Sequence, residues 1–204
     1  MPITLAKRLD AVAPSATLAM AAKAAQLRAA GQRVFSFSVG EPDFPTPPHV
    51  VAAAAEALAR GNVFHYTLVT GTADLKAAIA EATARDRGHT PRPEQIVVSC
   101  GAKHALFNLA MALFEPGDEV VIPAPYWVSY PEQVRLAGAT PVIVETREED
   151  GFRLQPEALR ASVGPKTKAI VLCTPSNPTG AAYAEAHLRA LVEALREVDA
   201  YIIV

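Results

Sequence analysis

Only two cysteines occur in 204 residues, Cys100 and Cys173. That excludes a disulfide framework. Each closes or follows an apolar, strand-like run, and the plain reading is two buried free thiols in a reducing, cytoplasmic setting. Charge of one sign is lacking too. Nineteen Lys and Arg stand against 21 Asp and Glu, for a formal net charge of −2. A nucleic-acid binder shows a basic excess or stripe, and a disordered chain combines low hydrophobicity with high net charge. Half the residues here are apolar, so neither class fits. Long hydrophobic runs are absent as well. The stretch from Ala169 to Ala184 is free of charge but carries two prolines, an Asn and a Ser, whereas a spanning helix needs about 20 mostly apolar residues. Lys7, Arg8 and Asp10 precede any apolar run, which does not read as a signal peptide. The five histidines (His49, His65, His89, His104, His187) form no H-E-x-x-H or other ligand spacing, so no metal site is expected.

What is present is alternation of two kinds of segment. Ser15 is a plausible N-cap for a helix over Ala16–Ala30 that stops at Gly31. Arg33–Ser38 reads as a short strand. Four prolines between Gly40 and Pro48 then forbid regular structure, each removing an N–H and fixing φ. Helices are predicted at Pro48–Ala59, Ala73–Arg87, Lys103–Phe114, Trp127–Ala137, Pro156–Ser162 and Glu185–Val198. Val- and Ile-rich runs fall at Gln95–Ser99, Glu119–Ile122, Pro141–Glu145, Ala169–Cys173 and Tyr201–Val204. Most lack strict alternation, which suits strands covered on both faces. Each gap exceeds the dozen or so residues that a parallel crossover requires. The fold class is therefore α/β, a mostly parallel sheet with flanking helices. The chain stops within the run Tyr201–Val204, and we read it as truncated inside that sheet.

In such sheets ligands bind at the carboxyl ends of the strands. Three clusters fall there. Cys100-Gly101-Ala102-Lys103 leads straight into a helix and is either an anion site, because bare N–H groups and the helix dipole favour one, or simple packing by small residues. It is neither a Walker loop nor G-x-G-x-x-G. Pro123-Ala124-Pro125-Tyr126-Trp127 places an aromatic pair, including the sole Trp, where it either stacks on a flat ligand or serves the core. Thr174-Pro175-Ser176-Asn177-Pro178-Thr179-Gly180 holds an Asn amide that can donate and accept, or is a turn-rich connection. Three clusters on one predicted rim favour a shared site. Glu145–Asp150 reads as a solvated turn.

Asn177-Pro178-Thr179-Gly180, Gly40-Glu41-Pro42-Asp43-Phe44 and Pro125-Tyr126-Trp127-Val128-Ser129-Tyr130-Pro131, in this order and spacing, closely resemble the class I/II pyridoxal-phosphate aminotransferases, nearest to the bacterial aspartate aminotransferases. The likeness begins at Pro14-Ser15-Ala16-Thr17 and covers essentially the whole chain. It implies the fold-type-I architecture, with residues 1–45 as the N-terminal arm and part of a small domain and 46–204 as the first half of the large cofactor domain. It implies that Gly101, Ala102 and Lys103 hold the cofactor phosphate, that Trp127 stacks on the pyridine ring, and that Asn177 bonds the ring's phenolic oxygen. Gly40 would donate its N–H to the substrate carboxylate, with Trp127 and Asn177 also at the substrate. Tyr66 would reach the phosphate of a neighbouring subunit, making the family's site that of a homodimer. Amino-acid and 2-oxo-acid substrates follow, with aspartate and 2-oxoglutarate the best guess. Ala13 stands where relatives often have Lys, which loosens the dicarboxylate preference. The family's Schiff-base lysine matches a position beyond Val204, and Lys7, Lys23, Lys76, Lys103, Lys166 and Lys168 do not replace it. No catalytic residue is thus assigned within the chain, which is expected not to transaminate alone. The alternative is a non-catalytic remnant that binds phosphate or a partner subunit. A regulator fused to a DNA-binding domain is disfavoured, since neither an added helix-turn-helix nor a basic excess is present.

Overall fold

Four of the five Val- and Ile-rich runs form strands, in which successive side chains point to opposite faces. In the computed structural model, residues 4–61 and 63–204 are described. Strands β1 (Glu119–Ala124), β2 (Thr140–Glu145), β3 (Thr167–Val171) and β4 (Tyr201–Ile203) make one parallel sheet in the order β2-β1-β3-β4. Register runs Glu119 to Thr140 through Ala124 to Glu145, and Ala169 to Tyr201 through Val171 to Ile203. The central strands β1 and β3 are almost wholly buried, whereas β2 and β4 lie at the edges and are more open.

Val120, Ile122, Ala169 and Val171 face one side and pack with Ala110, Phe114, Val134 and Ala139. Val121, Ile170 and Leu172 face the other and pack with Val144, Leu154, Leu159 and Leu191. The helices concerned are α4 (Ala102–Leu113) and α5 (Ser129–Leu136) on the first face and α6 (Pro156–Ser162) and α7 (Glu185–Ala194) on the second. Each fully buried Val, Ile or Leu side chain contributes roughly 1.5–3 kcal/mol. The two-faced burial expected of a parallel sheet therefore holds at its centre.

Packing divides the chain into two compact units: the residues up to Ala19 with Leu106–Val204, and Met20–Ala105. The sheet belongs to the first. Among the described residues of the second, helices are defined by their ends. Helix α1 (Ala16–Ala29) runs into this unit from its cap in the first, where the Leu18 N–H donates to Ser15 Oγ at 3.3 Å. Helix α2 (Pro48–Arg60) opens on a proline and closes at left-handed Gly61. Helix α3 (Ala73–Arg87) is capped by Thr72, whose Oγ1 accepts from the Leu75 N–H at 3.4 Å.

Two expected strands do not form. Arg33–Ser38 carries no strand, and Phe35 and Phe37 are 71% and 97% exposed. Gln95–Ser99 is a 3-10 turn at Pro93–Gln95 followed by irregular chain, tied by Val98 N–H to the Thr70 carbonyl at 3.1 Å. A strand needs a ladder, and one such bond does not make one. The thiols also differ from expectation: Cys100 is exposed and Cys173 only half-buried, because Gln95–Ser99 forms no covered strand and β3 ends at Val171, short of Cys173. Among the described residues no helix is long and apolar enough to cross a membrane.

Candidate functional site

Strands β1 and β3 are neighbours, so the loops that follow them meet at the carboxyl edge of the sheet. There they line a shallow pocket. Its floor is apolar, with Ile122, Ala124, Val171 and Leu172; its rim carries Tyr126, Tyr130, Ser176 and Asn177. Two of the three clusters singled out in the sequence thus come together. Asn177 is exposed on the rim, in a loop that the Ser176 N–H closes onto the Ala181 carbonyl and the Gly180 N–H onto the Ser176 carbonyl, both at 2.8 Å. The bonds Ala124–Pro125, Thr174–Pro175 and Asn177–Pro178 are cis.

Trp127 is half-buried beside this pocket rather than in its wall. Its ring meets that of Tyr130 edge-on, with centroids 5.4 Å apart and planes at 86°. Tyr130, in the first turn of α5, packs against the core. Burial first, and the nearby Cys173 second, push the Tyr130 hydroxyl well above its ordinary pKa of 10.0. The Cys173 thiol donates to the Pro175 carbonyl at 3.3 Å.

The remaining expected site residues belong to the second unit. Gly101 has φ +84°, a value that favours glycine, and a Cβ there would meet nothing within 4 Å. It turns the chain into α4, so Ala102 and Lys103 stand in the first turn, where helix N–H groups lack partners in the helix. The Cys100 N–H donates to His104 Nδ1 at 3.1 Å, tying the loop to that turn. Gly40 lies in the proline-rich loop and Tyr66 in the connection between α2 and α3; both are exposed.

Sequence reasoning missed Tyr130, Cys173, Phe152 and Tyr183, all on the pocket wall. For Cys173 the signal was available, because it closes the apolar run Ala169–Cys173 at the start of a loop. Tyr130 lies one helical turn beyond Trp127, which also marks it. Phe152 carried no signal; it follows a charged turn and holds φ 54°, uncommon for a bulky residue.

The model of the family described as aminotransferase class I and II matches residues 32–204. The chain belongs to this family. An aspartate aminotransferase of Bacillus subtilis is 50% identical over 199 residues, 98% of this chain and 50% of the relative. An aspartate/prephenate aminotransferase of Thermus thermophilus is 47% identical over 98% of this chain and 51% of its own length. Among solved structures, the Thermus thermophilus aspartate aminotransferase with maleate superposes with a TM-score of 0.92 at 46% identity, covering 98% of this chain and 52% of that one. The chain spans about half the length of the curated relatives it matches. The family's pyridoxal-phosphate-dependent fold, a parallel sheet under helices, is the one found here.

Proposed function

We propose that this chain forms the cofactor-cradling part of a cytoplasmic, homodimeric pyridoxal-phosphate aminotransferase that moves an amino group from aspartate to 2-oxoglutarate. Residues 1–45 contribute the arm and part of the small domain, and 46–204 the first half of the large domain. The observation that carries the reading is the pocket at the ends of β1 and β3, with Asn177 on its rim and Trp127 packed beside it, in a chain matched to the family over 32–204. Its donors fit the cofactor: an apolar floor and aromatic walls suit a flat ring, and one amide suits the ring's phenolic oxygen. The open left-handed loop at Gly101 and the start of α4 suit a dianionic phosphate.

Each residue then has a holding task. Trp127 keeps the ring flat, Asn177 donates to its oxygen, and the backbone of Gly101, Ala102 and Lys103 donates to the phosphate. Gly40 offers its N–H to the substrate carboxylate, where lack of a side chain permits close approach. Tyr66 reaches across to the phosphate held by the second subunit. When bound, the cofactor supplies an electron sink for the carbanion left after the α-proton departs. The six lysines present leave that proton transfer unserved.

Equilibrium dialysis of the chain against pyridoxal phosphate tests this. Saturable binding is expected, weakened about 10-fold by Asn177→Ala, equivalent to about 1.4 kcal/mol, with no keto acid formed from aspartate above the free-cofactor rate. Unsaturable binding, or equal binding by Asn177→Ala, overturns the reading.

A further inference from the structure

Phe152 lies on the pocket wall with φ 54°, in the connection from β2 to α6. That left-handed region suits Gly, Asn or Asp and is rarely occupied by a bulky residue. A connection that had only to reverse the chain would be served by a small residue there, as it is one position earlier, where Gly151 has φ +60°. A strained backbone persists where its surroundings over-determine it, and here they do so from both ends. Before Phe152, the Thr146 N–H and hydroxyl both donate to the Ala124 carbonyl, at 3.2 and 2.6 Å, tying the connection to the last residue of β1. The Arg147 carbonyl then accepts from the Asp150 N–H at 3.2 Å and from the Phe152 N–H itself at 2.8 Å. After Phe152, the Leu154 N–H donates to the Tyr183 hydroxyl at 2.8 Å. The Tyr183 N–H in turn donates to Thr174 Oγ1 at 3.3 Å, at the root of the loop that carries Asn177. Both anchors, Ala124 and Tyr183, line the same pocket. The charged turn at Glu145–Asp150 therefore leads into a bracket whose product is one aromatic side chain on the wall.

We infer that Phe152 is a positioning residue of this pocket: its ring, fixed by the bracket, completes the wall and sets where a flat phosphorylated pyridine ring comes to rest relative to Asn177. The inference rests on the cofactor reading above. It adds the loop after a third strand, β2, to a site otherwise built from the loops after β1 and β3. An aromatic ring suits the task, since it offers a broad, rigid apolar surface. Held at both ends, the connection keeps that surface in one place, so the pocket is shaped before anything enters it. Phe152 carries neither proton nor charge and takes no part in the chemistry.

The sole Trp and the pocket thiol Cys173 give readouts that need no turnover. In the 204-residue chain, pyridoxal phosphate is expected to quench Trp127 emission saturably. Phe152→Gly fits the left-handed backbone but lacks the ring, and should weaken that affinity about 10-fold. Phe152→Leu refills part of the wall and should lose only about 3-fold. Leu159→Ala, at a buried core position outside the pocket, lowers stability and should leave the affinity of the folded chain unchanged. Without ligand, iodoacetamide should label Cys173 several-fold faster in Phe152→Gly than in the parent, because the ring that shares its wall is gone. Cys100, resolved from it by mass spectrometry, should keep the parent rate. Parent-like affinity of Phe152→Gly, Phe152→Leu no better than Phe152→Gly, or unchanged Cys173 labelling overturns the role of Phe152 and leaves the cofactor reading standing. An equal affinity loss in Leu159→Ala overturns it too, since Phe152 would then act through stability alone. A folded parent whose Trp127 emission ignores pyridoxal phosphate overturns the cofactor reading and this inference with it. Should Phe152→Gly fail to fold, Phe152→Leu still decides: parent-like affinity there refutes the role.

Discussion

Leu154 is fully buried, and its main chain shows how single side chains hold a loop where no ladder passes. Its N–H donates to the Tyr183 hydroxyl at 2.8 Å, and its carbonyl bonds His187 Nε2 at 2.7 Å. The two rings meet edge-on, 5.2 Å between centroids. A buried amide without an acceptor costs about 1–3 kcal/mol. Tyr183→Phe keeps the ring but strands that N–H, so a urea titration should show stability lower by about that amount. Burial also raises the Tyr183 pKa above 10.0, with the Leu154 bond acting against it. The sign follows: the folded state keeps the phenol protonated where the unfolded chain would lose the proton. The stability in question is present below pH 10 and drains away as pH rises past it. Tyr130 adds to the same alkaline loss. Ultraviolet titration should accordingly find Tyr130 and Tyr183 ionising above the ordinary value in the folded protein; ionisation at or below it would contradict the burial argument.

Helix ends explain which elements could be read from the residues alone and which could not. Two glycines with positive φ make the point. Gly88 ends α3 at φ +66° with open space around it, whereas Gly71 holds φ +107° before α3, where a Cβ would come 2.5 Å from Val98 Cγ2. Gly88→Ala therefore meets only the left-handed penalty, about 1 kcal/mol. Gly71→Ala adds a clash in the turn whose Thr70 carbonyl accepts from Val98, and should cost about 3 kcal/mol. Thermal melts of the two variants should differ in that order; equal shifts would mean that Val98 moves freely aside. The legibility of the chain follows the same logic. Ser15, Pro48 and Pro156 marked helix starts to within a residue because helix-start signals act locally. Strands β1 to β4 were found because their apolar runs were long enough to be covered from both sides. Arg33–Ser38 and Gln95–Ser99 have the same local pattern, but a strand exists only with a partner, and sequence does not name the partner. Candidate residues were legible where a strand end and an unusual residue coincide, as at Trp127 and Asn177. Cys173 obeyed the rule yet looked like core, because the apolar run before it set the expectation of burial.

At the scale of the whole molecule, the sheet's apolar surface is unevenly covered. Strand β4 is an edge, with Tyr201 and Ile202 52% and 46% exposed. On the α6–α7 face a cavity of about 220 Å³ opens beside it, lined by Leu159, Ile170, Leu191, Val192, Ile202 and Val204. A void of this size lined by aliphatic groups forgoes contacts on one side. The adjoining edge also offers unpaired N–H and C=O groups to any other strand. Apolar surface and free edge in one place is the arrangement that favours association. Ile202 belongs to both features, so a charge there should act on both: lysine disfavours strand addition at the edge and prevents apolar groups from closing over the cavity. Ile202→Lys is expected to lower light scattering of the concentrated chain and its binding of anilinonaphthalene sulfonate, while costing little stability because the position is nearly half open. The matching change Val69→Lys, at a residue 97% exposed in the other unit, should leave both signals as they were. If Ile202→Lys scattered as strongly as the parent while Val69→Lys did not, association would run through the second unit, and the β4 edge would be innocent.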